Sequence, residues 1–225
     1  MTESDRPQPH VAIPLNGYWT EWSARAARNA APGWADLVEE MAGLQDAFAA
    51  AAPSPQAVAR VRSLVEQARA VLARHEVGDD DQLFGRFLPE PHRGQTFSPP
   101  IRLTAVTERA LTGETVFGRF HSGNNSAAHG GAIALLFDDL FGRLVSVGDI
   151  PPARTANLSV NYRSVTPLGE PLAVEASIAD VDGRKLTLTG TLRHGDRLCA
   201  DATALFLTLR PEQMSPAGAG APPPS

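Results

Sequence analysis

The chain has 225 residues, 43% of them hydrophobic, a formal net charge of −5 and one cysteine, which suits one domain carrying an appendage or a small second domain. An acidic balance with a pI near 5.7 lacks the broad basic footprint that nucleic acid requires, and a single cysteine excludes an intrachain disulfide and fits a reducing, cytoplasmic setting. No window approaches 18 uninterrupted apolar residues, so no membrane-spanning helix is expected, and the polar start from Met1 to His10 lacks the basic and apolar regions of a secretory signal.

Residues 1–17 read as a flexible arm and residues 18–100 as a helical extension with a linker. A short helix is expected from Tyr18 to Asn29. Leu37, Met41, Leu44 and Phe48 then step by four, three and four, which paints one helix face. Val58, Val61, Leu64, Val65, Ala68, Val71 and Leu72 paint a second helix, separated from the first by Pro53 and Pro55. Ser54 is the natural cap of that helix, with Pro55 at its first position. Residues 77–100, rich in Asp, Gly and Pro, read as a long connection.

From residue 101 to 210 the pattern changes to strand, strand, helix and then four strands. The first two strands are expected at about Arg102–Arg109 and Glu114–His121, turning near Thr112-Gly113. A helix follows from about His129 to Val147. The stretch Thr155–Arg163 alternates, with Ala156, Leu158, Val160 and Tyr162 on one face and Thr155, Asn157, Ser159 and Asn161 on the other. Pro171–Val181 and Lys185–Arg193 alternate in the same way about a hairpin signal at Asp182-Gly183. After a turn at His194-Gly195-Asp196, Arg197–Leu209 completes the sheet. The tail, residues 211–225, is Pro, Gly and Ala and reads as disordered.

The helix following His129 carries most of the functional information. It is apolar nearly all round (Ile133, Leu136, Phe137, Leu140, Phe141 and Leu144 among others), so it is expected to be buried on every side, as the core of an α+β fold in which an antiparallel sheet wraps around it. Only Asp138, Asp139 and Arg143 in it are charged. Asp139 and Arg143 are spaced i, i+4 and are expected to pair on the helix surface. Asp138 has Ala134 and Gly142 at the corresponding positions and no local partner. A carboxylate without a partner on a greasy helix costs several kcal/mol unless something hydrogen-bonds it, which makes Asp138 the functional candidate and Asp139 its competitor. At the other end, His129-Gly130-Gly131 leaves open backbone N–H groups at a helix start, where the dipole adds positive character. Such donors suit an oxyanion developing on a carbonyl; the plain alternative is a tight glycine turn. Gly130 and Asp138 are eight residues apart, about 12 Å along a helix. One carbonyl carbon meets both only if two such helices lie antiparallel across a twofold axis, so a homodimer is expected, with further pairing of dimers left open.

His129-Gly130-Gly131 with Asp138 nine residues after the histidine, and the segment Thr155-Ala156-Asn157-Leu158-Ser159-Val160-Asn161-Tyr162 leading to Pro167-Leu168-Gly169, resemble the hotdog-fold acyl-CoA thioesterases of the PaaI-like thioesterase superfamily. The resemblance covers about residues 101–209. It implies hydrolysis of an acyl-CoA to a carboxylic acid and CoA without cofactor or metal. It assigns Asp138 as nucleophile or base, the Gly130 N–H as the carbonyl donor, His129 as support and Thr155 as a hydrogen-bond partner near the carboxylate or water. Gly131, Asn124, Asn125 and Asp139 are carried as substrate-binding candidates, and Arg154 and Arg163 as candidates for the CoA phosphates, with Arg184 and Lys185 beside them. The asparagine that many of these enzymes place upstream has no counterpart at the matching distance.

Other chemistries lack their signatures: there is no G-x-S-x-G elbow, no phosphate-binding glycine loop, and no metal-ligand spacing among the six histidines. Cys199 reads as a small core residue and His121 as the end of a strand. Two alternatives remain open at this point: a non-catalytic acyl-CoA-binding or regulatory hotdog protein, and a hydratase on the same fold.

Overall fold

Six strands form one antiparallel sheet in the computed structural model of the chain, which describes residues 10–213. They are β1 (Ile101–Val106), β2 (Ala110–Thr115), β3 (Ala153–Tyr162), β4 (Leu172–Asp182), β5 (Lys185–His194) and β6 (Arg197–Thr208). Their order across the sheet is β1-β2-β4-β5-β6-β3, which leaves β1 and β3 as the two edges. The hairpins at Gly183-Arg184 and Gly195-Asp196 fall where the sequence places them.

The first hairpin does not. Its turn lies at Thr107-Glu108-Arg109, where the Thr107 hydroxyl accepts from Ala110 N at 3.0 Å and the Thr107 N–H donates to Ala110 O at 2.8 Å. Thr112-Gly113 is instead inside β2. Gly113 is required there by a close approach: a Cβ would sit 2.6 Å from the carbonyl oxygen of Arg102 on β1. The glycine that reads as a turn signal marks crowding between backbones. The second strand likewise ends at Thr115, and Arg119–His121 is a single helical turn rather than a strand end.

Helices α1 (Gly17–Asn29), α2 (Trp34–Ala50) and α3 (Pro55–Leu72) precede the sheet, and α4 (Gly130–Leu144) follows β2. Ser54 caps α3 by accepting from Ala57 N, with Pro55 in the first turn, as expected. Residues 10–16, expected to be a free arm, are bound. Val11 N donates to Leu103 O at 2.8 Å, the His10 ring accepts from Leu103 N at 3.0 Å, and Ile13 joins the core. An extended segment beside the unpaired start of β1 satisfies backbone groups that the edge would leave open. The remainder of the expected arm and most of the expected tail, 1–9 and 214–225, lie outside the described residues.

One face of α4, with Leu136, Phe137, Leu140, Phe141 and Leu144, is fully buried against the sheet. The expectation of burial on every side is corrected. Ala134, Leu135, Asp138 and Gly142 are only partly covered, because one chain's six strands enclose a single side of the helix. The expected surface pair Asp139–Arg143 is also corrected. Both side chains are buried, and Arg143 is 0% exposed. Arg143 Nε donates to Asp139 at 3.1 Å, while its other nitrogens bond the carbonyls of Glu90, Pro91 and Ile101. Arg93, which occupies a left-handed conformation (φ 54), donates to the second Asp139 oxygen and to Gly85 O. The long connection 77–100 is thereby fastened onto α4 by one buried carboxylate and two guanidinium groups. No helix among the described residues is long and apolar enough to cross a membrane.

Candidate active site

Asp138 projects from the middle of α4 toward the start of β3. Thr155 Oγ1 donates to Asp138 Oδ1 at 2.8 Å. The sequence-level alternation of β3 is interrupted here: the register slips between Thr155 and Asn157, so Ala156 is bulged out of the ladder with β6. A bulge re-aims side chains locally, and this one stands beside the contact that brings Thr155 onto the carboxylate. The second oxygen of Asp138 makes no hydrogen bond among the described residues.

Asp138 separates two cavities. On one side is a cleft of about 300 Å³, whose apolar wall includes Trp19, Leu88, Phe97, Leu135 and Phe206 and whose rim carries Arg154 and Thr155. On the other is an open groove of about 640 Å³ that runs along α4 past Leu135 and Ala132 to Gly131 and His129, with Phe120, His121 and Leu158 opposite.

The start of α4 closes that groove. His129 is the N-cap; its ring Nδ1 accepts from Gly131 N at 3.0 Å. An accepting Nδ1 places the proton of the neutral ring on Nε2. Gly131 N is therefore occupied, while Gly130 N has no partner among the described residues and remains as a donor at a helix start. Tyr162, at the far end of β3, donates its hydroxyl to Gly130 O at 2.9 Å, and its ring lies where a Gly130 Cβ would come within 3.3 Å. The same strand thus touches both ends of the proposed chemistry, Thr155 at the carboxylate and Tyr162 at the glycine.

Asp139 lies beside Asp138 but its oxygens are held by Arg143 and Arg93. Burial pushes its carboxyl up, and the two guanidinium charges with their hydrogen bonds outweigh this and hold it below the usual carboxylate range. Asp139 is thus committed to the fold, and the free acid of the pair is Asp138. Asn124 and Asn125 are exposed in the turn before the helix and line neither cavity of the single chain. Arg163 is paired with Asp201, whereas Arg154 is exposed beside Thr155 with no ion-pair partner among the described residues.

Residues 125–200 match the family model described as thioesterase superfamily. Over that stretch, about a third of its length, the chain is similar to the thioesterase superfamily. The chain is 37% identical over 87 residues to acyl-coenzyme A thioesterase THEM4 of Mus musculus, covering 38% of this chain and 37% of that protein. It is 32% identical over 100 residues to the Bos taurus protein of the same name, covering 44% of this chain and 40% of that one. The alignments span less than half the length of these relatives. A solved thioesterase superfamily protein shares the fold with a TM-score of 0.69 at 24% identity, over 91% of this chain and 98% of that one, so the helical extension belongs to the shared architecture.

Several parts of this candidate site were not found from sequence. Trp19 and the connection 84–98 wall the cleft, although they lie far from the motif in the chain. Tyr162 reads simply as the last apolar residue of an alternating strand. His121 is expected to end a strand; it instead sits in the groove, edge-on to Phe117 and Phe120, with both ring nitrogens shielded and unpartnered among the described residues. Burial holds its ring below the ordinary histidine range, against a smaller opposing pull from Asp46.

Proposed function

We propose that this chain hydrolyses acyl-CoA thioesters at a site built from Asp138 and Thr155 of one copy and Gly130 of a second. The observation that carries the reading is the Thr155–Asp138 hydrogen bond at the junction of an apolar cleft and an open groove. Thr155 holds one carboxylate oxygen and leaves the other for the reacting water or the carbonyl carbon. The thioester carbonyl is polarised by the Gly130 N–H at the helix start. Attack at the carbonyl carbon, by a water that Asp138 deprotonates or by Asp138 itself with water resolving the acyl-enzyme, breaks the C–S bond. It releases CoA thiol and a carboxylic acid.

Two features support a dimer-spanning site. Gly130 and Asp138 of one helix are about 12 Å apart, beyond the reach of a single carbonyl group. Strand β3 is a sheet edge of 10 residues in which Ala153 alone is buried, and such an edge is a template for pairing with another chain. Pairing of two β3 edges would set the two α4 helices side by side. In this arrangement the acyl group occupies the cleft walled by Trp19, Leu88 and Phe97, and Arg154 at its rim meets a phosphate of CoA. His129 fixes the turn that presents Gly130.

Thiol release from a panel of acyl-CoA esters by the purified full chain tests the reading. Turnover that disappears in Asp138→Asn is expected. Undiminished turnover in that variant, or no turnover with any ester, overturns it.

A further inference from the structure

We infer that α2 and α3 form an exchange interface in which α3 of one copy lies on α2 of a second copy of this chain. The inference is independent of the catalytic proposal. Helix α3 has 18 residues and buries none of them. Six of its large apolar side chains are exposed, Leu64 at 55% and Val71 at 57% among them, and they fall on one stripe. Four more, including Phe48 at 76%, form a stripe on the outer face of α2. An isolated helix of this length is marginal in water without an apolar face to pack on, and α3 packs extensively on nothing among the described residues.

The exposed apolar area of these ten side chains is on the order of 1,000 Å², against the few hundred that a soluble monomer ordinarily leaves in one patch and the roughly 800 Å² that each partner gives a standard interface. Charge selects the occupant. Helix α2 carries Asp36, Glu39, Glu40 and Asp46 and no basic residue, whereas α3 carries Arg60, Arg62 and Arg69 against Glu66. Glu39 is engaged by His92, Asp46 by Phe120 N, and Arg62 by Glu66. Asp36 and Glu40 on α2, and Arg60 and Arg69 on α3, are left without ion-pair partners among the described residues and border the two stripes: Glu40 stands one turn from Leu44, Arg60 one turn from Leu64 and Arg69 one turn from Val65. Both faces are apolar and their bordering charges are opposite in sign, yet α3 does not pack extensively on its own α2. A second copy supplies both faces reciprocally, as a twofold interface requires. An anionic lipid surface would match the arginines of α3 but would be repelled by the neighbouring acidic face of α2.

The test mixes two differently tagged full-length forms, one Leu44→Cys and one Leu64→Cys; the native Cys199 is buried. A short thiol-reactive cross-linker is expected to give a covalent pair carrying both tags. Arg60→Glu with Arg69→Glu is expected to weaken association about tenfold in sedimentation, and adding Asp36→Arg with Glu40→Arg is expected to restore it. Failure to form the two-tag product, closure of a double-cysteine chain on itself as a monomer, or cosedimentation of a monomer with phosphatidylserine vesicles through these arginines would each overturn the inference.

Discussion

Thr155 on β3 and Asp138 on α4 are 17 residues apart in sequence and joined by a hydrogen bond of 2.8 Å. The bond fixes the carboxylate proposed to be catalytic to the edge strand rather than to the core. It therefore makes the acid answerable to whatever pairs with that edge.

Replacing Asp138 by Asn should lower kcat by at least about 100-fold, the range for loss of a general base or nucleophile. Thr155→Val removes a hydrogen bond to a charged group, worth about 1.5–3 kcal/mol, and should lower kcat roughly tenfold or more. Both residues are outside the core, so thermal midpoints should stay within a few degrees of the parent. Steady-state kinetics beside a melting curve checks the pair.

Asp139→Asn should act on stability. It leaves the buried Arg143 guanidinium without its countercharge, and breaking a buried pair costs about 3–5 kcal/mol. Because Asp139 titrates below its unfolded value, its stabilising contribution is present above the unfolded carboxyl pKa of about 3.9 and is lost as pH falls through the folded value. Denaturant midpoints of parent and variant across pH 3–7 should converge at the acid end.

His121 gives the opposite window. Burial depresses its pKa in the folded chain, so the unfolded chain binds the proton first. Stability should begin to fall as pH drops below about 6.5 and continue falling until the folded form also protonates. His121→Phe, which keeps an aromatic ring between Phe117 and Phe120, should flatten stability between pH 7 and pH 5. A slope unchanged by the substitution would place the titration elsewhere.

Gly142 offers a way to test whether the cleft beside Asp138 takes the acyl group. It lines that cleft, and nothing lies within 4 Å of a Cβ added there. Gly142→Leu should fill part of the cavity without backbone strain and raise helix propensity by about 1 kcal/mol. Turnover of long acyl-CoA esters should fall while that of acetyl-CoA is retained. Equal loss on all chain lengths would move the acyl group out of this cleft.

The fold was legible from residue 101 onward because alternation, hairpin glycines and one all-apolar helix are local signals. The lack of a local partner for Asp138 was legible for a related reason: at i±4 it meets only Ala134 and Gly142, and the hydrogen bond it accepts comes from Thr155, outside the helix. The true environment of Asp139 was not legible. Arg143 is visible at i+4, but Arg93 arrives from an irregular segment whose course depends on the buried guanidinium it helps to hold. The first hairpin was misplaced because Gly113 has the residue type of a turn and the function of a spacer between two backbones. The cleft wall from Trp19 to Phe97 was invisible for want of any periodic pattern linking it to α4.

The dimer-spanning site is tested most directly by complementation. Gly130→Pro removes the proposed donor at a first helical position, where proline is tolerated, and Asp138→Asn removes the acid; each variant alone should be inactive. When the two are unfolded together and refolded as a mixture, half of the dimers should be mixed, each with one intact site of two, and activity should return to roughly a quarter of the parent. Mixed dimers that form and stay inactive would contradict a carboxylate and an oxyanion donor supplied by different chains.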